Sequence, residues 1–263
     1  MIIGAGAHGV DVKKRVAVYW AMAAAAFAGA SAAPDENAFA RFKGGAYEAA
    51  ALAAGQAGGA ENLALAARAL NAEAYLETKD KSARRLAKKA QDYAEAAIEA
   101  DPSLIEGHLQ AAIALAQRGA RMAPWRAFFL GLATRARERL DRALAIEPSN
   151  AWALSTSAAW HLEVARRGGE GRFGADPEAG HRQFIAARAA APDNLLIAYE
   201  CALRLLAYGR DEWRAQALAS LETALRLQPM DAFERSVLER TRALQSAVDD
   251  GVGAERAFID AQP

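Results

Sequence analysis

ARERLDRALAIEP, residues 136–148, is the stretch on which the fold turns. Twelve, eight and five residues before Pro148 stand Ala136, Leu140 and Ala143. The same small-apolar-small-proline spacing recurs three more times. It gives Ala90, Ala94 and Ala97 before Pro102, then Gly180, Phe184 and Ala187 before Pro192, then Ala217, Leu221 and Ala224 before Pro229. Those offsets fall on one face of a helix, about a turn apart. Small side chains on that face let another helix approach closely, and the proline then stops the helix.

A second pattern follows the prolines. Ten residues beyond the first three stand Ala112, Ala158 and Ala202, each small and in the middle of an apolar stripe. One unit is therefore a pair of helices that clasp through small residues and need neighbours to bury both faces. Alanine, leucine, arginine and glutamate dominate, 53% of the residues are hydrophobic, and no strand-like alternation of any length occurs, so the chain reads as all-α.

These residues resemble the tetratricopeptide repeat, a helix-turn-helix unit with small residues in both helices and a proline near its end. The resemblance covers most of residues 61 to 247. It implies a right-handed α-solenoid of antiparallel helix pairs with a concave face that binds peptides or proteins. The tryptophan the family carries early in its first helix is His108, Leu154 and Ala198 here. Repeat length departs as well: successive prolines are 46, 44 and 37 residues apart, against about 34 in the family. The excess is placed between the helices of a unit, around 119–132, 166–177 and 208–211, where solenoids tolerate insertions.

The organisation read from the chain has a secretory signal over 1–32, an opening helix within 33–60, repeats over 61–247 and a tail or helix over 248–263. Lys13, Lys14 and Arg15 precede an uncharged run from Val16 to Gly29 and a small-residue cleavage site at Ala30-Ser31-Ala32. A periplasmic or secreted protein is expected, with no stable membrane insertion once the signal is removed. The run is short for a bilayer span. Gly4-Ala5-Gly6-Ala7-His8-Gly9 fits the dinucleotide fingerprint, but no second strand follows it, so nucleotide binding is not expected.

No catalytic residue and no cofactor is assigned. No nucleophile elbow or phosphate loop is present, and Gly168 to Gly174 lacks the lysine and the strand of a phosphate cradle. Cys201 is the one cysteine and sits in an apolar stripe with Ile197 and Leu205. The histidines lie too far apart for a local zinc framework, so no metal is expected. Lysine plus arginine and aspartate plus glutamate both number 32, which argues against bulk attraction to nucleic acid. The cluster Lys79, Lys81, Arg84, Arg85, Lys88 and Lys89 reads as a solvated helix face, with a phosphate or anionic-lipid contact as the alternative.

The resemblance places the partner-binding wall on the first helix of each pair. Its residues would be Glu106 and Leu109, Trp152 and Ser155, Leu196 and Tyr199, then Phe233 and Arg240, with Trp152, Tyr199 and Phe233 at one equivalent edge. Such a groove implies a non-catalytic scaffold that holds a peptide or protein partner in the envelope, or else a carrier of an apolar small molecule. The aromatics are equally compatible with packing against a neighbouring helix. Trp125, Phe128 and Phe129 lie in the first insertion, which either plugs the groove or forms a lid over an apolar ligand. The crowding of charge near Glu234, Arg235, Arg240 and Arg242 is read as the polar face of a terminal capping helix.

Overall fold

The computed structural model describes residues 33–171 and 173–262. The segment read as a secretory signal and the Gly4–Gly9 motif lie outside them. Among the described residues the chain is all-α, with thirteen α-helices and no strand. They are α1 (Glu36–Gly44), α2 (Tyr47–Ala57), α3 (Ala60–Leu76), α4 (Asp80–Ala100), α5 (Ile105–Ala120), α6 (Pro124–Phe129) and α7 (Leu132–Ile146). There follow α8 (Ala151–Val164), α9 (Pro177–Ala190), α10 (Leu195–Tyr208), α11 (Asp211–Arg226), α12 (Ala232–Asp249) and α13 (Val252–Asp260).

The helix starts explain the rhythm of the chain. Three of the four repeat prolines are followed two residues later by a capping side chain. Asn150 accepts from the amides of Trp152 and Ala153, Asn194 from Ile197, and Asp231 from Glu234. Each proline thus ends one helix while its neighbour begins the next, a cap being worth about 1 kcal/mol. Asp231 has a reciprocal partner, because Glu234 Oε2 accepts from the Met230 amide at 2.7 Å. After Pro102 the cap position is Leu104, which has no side chain for the task.

Packing follows the small residues. All twelve residues of the proline-anchored pattern are buried, and so are Ala112, Ala158 and Ala202. Helix α4 packs on both α3 and α5, α5 on α7, α8 on α9, and α10 on α11. Gly180 shows how close these approaches are. A Cβ there would stand 3.0 Å from the Ala158 carbonyl oxygen and 3.2 Å from Leu162 Cγ, so only glycine lets α9 settle on α8. The three insertions lie between paired helices, as the spacing predicts. The first forms α6, the second a π-helical turn over Ala165–Gly169 with a bend beyond it, and the third turns at Gly209.

Two expectations about the ends are corrected. The opening segment is two helices, because Gly45 takes a left-handed conformation (φ 89°) and its amide caps the carbonyls of Arg41 and Phe42. The last charged helix, α12, is no free cap: it packs against α10, α11, α13 and also α1. A Cβ on Gly45 would meet Ala232 Cβ at 2.9 Å. Phe233 lies edge-on to Tyr75 at 5.6 Å, and Arg240 covers that ring at 4.7 Å while donating to the Tyr75 carbonyl oxygen at 3.1 Å. A seam therefore joins the last long helix to the first three. Helix α13 folds back with Ile259 buried and Phe258 against the core, as the apolar pair near the end predicts.

Candidate ligand-binding cleft

The wall assigned from the repeat pattern is mostly covered. Leu109, Ser155 and Tyr199 are buried, and Glu106, Trp152, Leu196, Phe233 and Arg240 are half-buried. Trp152 packs into the cluster of Leu109, Ala112 and Leu140, while Leu196 and Phe233 pack against the cluster that holds Tyr199. Burial pushes the Tyr199 phenol well above its usual range. Helix α12 brings Val237, Leu238 and Leu244 to the cluster around Tyr199, and α5 and α7 cover Trp152, so Trp152, Tyr199 and Phe233 meet side chains of their own chain. The aromatic recurrence is packing.

A polar network occupies the same interior. The Tyr75 hydroxyl donates to Glu200 Oε1 at 2.9 Å, and Arg204 donates to Glu200 at 3.0 Å and Glu163 at 3.5 Å. Arg166 and Arg167 also reach Glu163. Burial alone would raise the Glu163 carboxyl, but Arg204, Arg166 and Arg167 outweigh it and hold its pKa at about 2. Desolvation likewise opposes the charge on Arg204, and Glu200 and Glu163 override it, so its pKa rises. Charge here is matched by charge. The network welds helices α3, α8 and α10.

A contrasting site opens at the rim of the fold. The turn after α3, the start of α4, the end of α5, the first insertion, α12 and the C-terminal residues Ala261 and Gln262 enclose a cleft of about 1160 Å³. Seven cationic side chains line it: Arg84, Arg85, Lys88, Arg118, Arg121, Arg126 and Arg240. Glu77 and Asp80 are the two carboxylates in its lining, and Asp92, on the same helix as Lys88, pairs with that lysine. Helical geometry explains the α4 contribution. Arg84 and Arg85 each lie about one turn before Lys88, whereas Lys79, Lys81 and Lys89 lie outside the cleft.

Arg121 is the anchor of this site. It is only 8% exposed, donates to the Ala74 carbonyl oxygen at 3.1 Å and stands 3.6 Å from Asp80. Its Nε is buried without a hydrogen-bond partner among the described residues. The Arg84 guanidinium donates to the Arg121 carbonyl oxygen at 2.6 Å, and Arg118 is tied to Gln91. Burial lowers the pKa of Arg118, with Arg135 adding to the effect. Burial also lowers Arg121, where Asp80 opposes the shift and Arg240 adds to it. These guanidinium groups stay charged, and their lowered values reflect first the cost of burying them. Met122, Trp125 and Leu130 give the cleft an apolar edge. Trp125, Phe128 and Phe129 are exposed, so the first insertion is not a plug; it stands beside a basic cleft rather than over an apolar one.

Other reactive side chains are quiet. Burial pushes the Cys201 thiol up to about 11, so it stays protonated. His161 is driven down to about 4 by burial and by Arg137, and its Nδ1 accepts from the Asp176 amide at 2.9 Å. No group of three or more metal-ligating side chains, and no helix long and apolar enough to cross a membrane, occurs among the described residues. The cleft was half-visible in the sequence. The basic cluster on α4 announces one wall, but Arg118 and Arg121, Arg126 and Arg240 come from three other places in the chain.

A family model described as RMD1-3, regulator of microtubule dynamics protein 1-3, matches residues 46–170. The matched stretch runs from α2 to the π-helical turn and carries every cleft residue except Arg240, Ala261 and Gln262. No curated protein matches the chain.

Proposed function

We propose that this protein is a non-catalytic, exported binding protein whose basic cleft holds an acidic segment of a protein partner. The observation that carries the reading is the cleft itself, with seven cations against two carboxylates in a chain whose total charge is zero. Such a concentration attracts polyanionic ligands and steers their approach. A volume of about 1160 Å³ accommodates several residues of extended chain. The likeness over residues 46–170 supports a protein partner, because that family's description names an effect on a protein assembly. We propose further that the helix pairs are tetratricopeptide-like and stack as a right-handed α-solenoid. Burial at every small position of the pattern supports that. The signature at residues 13–32 supports export to the periplasm or beyond. A carrier of a purely apolar small molecule fits less well, since the open site is charged and the apolar wall is covered.

Fluorescence anisotropy with a labelled glutamate-rich peptide tests the reading. Binding is expected to weaken steeply between about 0.05 and about 0.3 M salt, as unburied charge pairs are screened. It is also expected to weaken by about 10- to 100-fold when Arg85 and Lys88 are both replaced by glutamate. Equal affinity for an uncharged peptide of the same length would overturn it.

A further inference from the structure

Helix α6 is a single-turn projection. It packs lightly on α5 and α7 and presents Trp125 at 66% and Phe129 at 78% exposure. Leu130, at 46%, continues the apolar surface. The two rings contact each other at 6.3 Å, edge to face, so they stand as one knob. Phe128 braces the knob against Phe173 of the second insertion at 6.1 Å. Arg126 is exposed on the same turn, and Arg85, Lys88 and Arg118 line the same cleft. Exposed large hydrophobic residues elsewhere, such as Leu52, Ile185 and Val252, are scattered far apart in sequence.

We propose that α6 is an interfacial anchor that docks the protein on an anionic phospholipid bilayer. The shape selects this occupant. A protein partner would need a preformed pocket to receive a projecting pair of aromatic rings, whereas the headgroup region of a bilayer yields to them. Tryptophan and phenylalanine partition into that layer, and each nearby lysine or arginine gains from the surface potential of anionic lipid. The proposal does not depend on the acidic-segment reading: the knob sits on the bilayer while the cleft opens beside it. No membrane span is implied.

Co-sedimentation of the full chain with vesicles of phosphatidylcholine, alone or with a third of phosphatidylglycerol, tests the proposal. Partitioning to the anionic vesicles is expected to exceed that to neutral ones by about tenfold at low salt. The double substitution Trp125→Ala with Phe129→Ala removes only exposed rings. It is expected to lower anionic-vesicle binding by about tenfold or more while leaving the melting temperature unchanged. Because the apolar run at residues 16–29 could itself bind lipid, a second readout isolates the knob. Quenching by brominated phosphatidylglycerol should be strong in the native chain and clearly reduced in Trp125→Phe, which keeps the apolar ring but not the fluorophore. Identical vesicle binding by the native chain and the double variant would overturn the proposal. So would loss of acidic-peptide binding in that variant with vesicle binding intact, an outcome that would assign the knob to a protein partner.

Discussion

The buried network around Arg204 and the rim cleft around Arg121 are built from the same residue types and end in opposite states. In the first, Arg204 lies between Glu163 and Glu200, and the Tyr75 hydroxyl completes the set. In the second, Arg118, Arg121 and Arg240 line one cleft in which Asp80 and Glu77 are the carboxylates. A fully paired interior arginine holds helices together; a group of cations that outnumbers the carboxylates beside it leaves room for negative charge. The comparison separates what the protein needs in order to stand from what it keeps open.

The hardest way to break that comparison is to remove the central cation. Arg204→Met leaves Glu163 and Glu200 facing one another half-buried, and is expected to cost about 3–5 kcal/mol of unfolding free energy in urea titrations. If the cost were under about 1 kcal/mol, the network would be ornamental. The pH dependence tests the same pairing without mutation. The folded pKa of Glu163 is about 2, below its ordinary 4.5. Its stabilisation is therefore fully present above the unfolded value and fades as pH falls from about 5 towards 2. The loss should approach about 3 kcal/mol, and it should be absent in Glu163→Gln.

The cleft should respond in the reverse sense. Arg85→Glu with Lys88→Glu is expected to reduce acidic-peptide affinity by about 10- to 100-fold, read by anisotropy, while moving stability by no more than about 0.5 kcal/mol. A matching loss of stability would show that these cations are structural, like Arg204. The smallest effect concerns neither site. Gly180→Ala brings a methyl group to 3.0 Å from the Ala158 carbonyl oxygen and is expected to cost about 1–2 kcal/mol. The cleft lies on other helices, so peptide binding should be unchanged.

The sequence spoke clearly wherever the physics was local. Ala90, Ala136, Gly180 and Ala217 are buried because helix periodicity alone sets which face they occupy. The insertion sites were legible for the same reason, since a proline count measures chain length between helices. The Asn150, Asn194 and Asp231 caps were equally local and went unread, although each stands two residues after a repeat proline. What the sequence hid depends on distant residues meeting. Arg240 and Tyr75 are 165 positions apart, yet their contact covers part of the wall that the repeat pattern leaves open. Arg84, Arg85 and Lys88 looked like a solvated face because nothing nearby in sequence announces that Arg118, Arg121 and Arg126 share a cleft with them.

The seam between α12 and the first helices has a mechanical consequence. An array of helix pairs held only by nearest neighbours can fray from either end and melt in stages. Here the outermost members grip one another through Gly45 and Ala232, Tyr75 and Phe233. Neither end can peel away without tearing the other loose, which binds the whole assembly into a single cooperative melting unit.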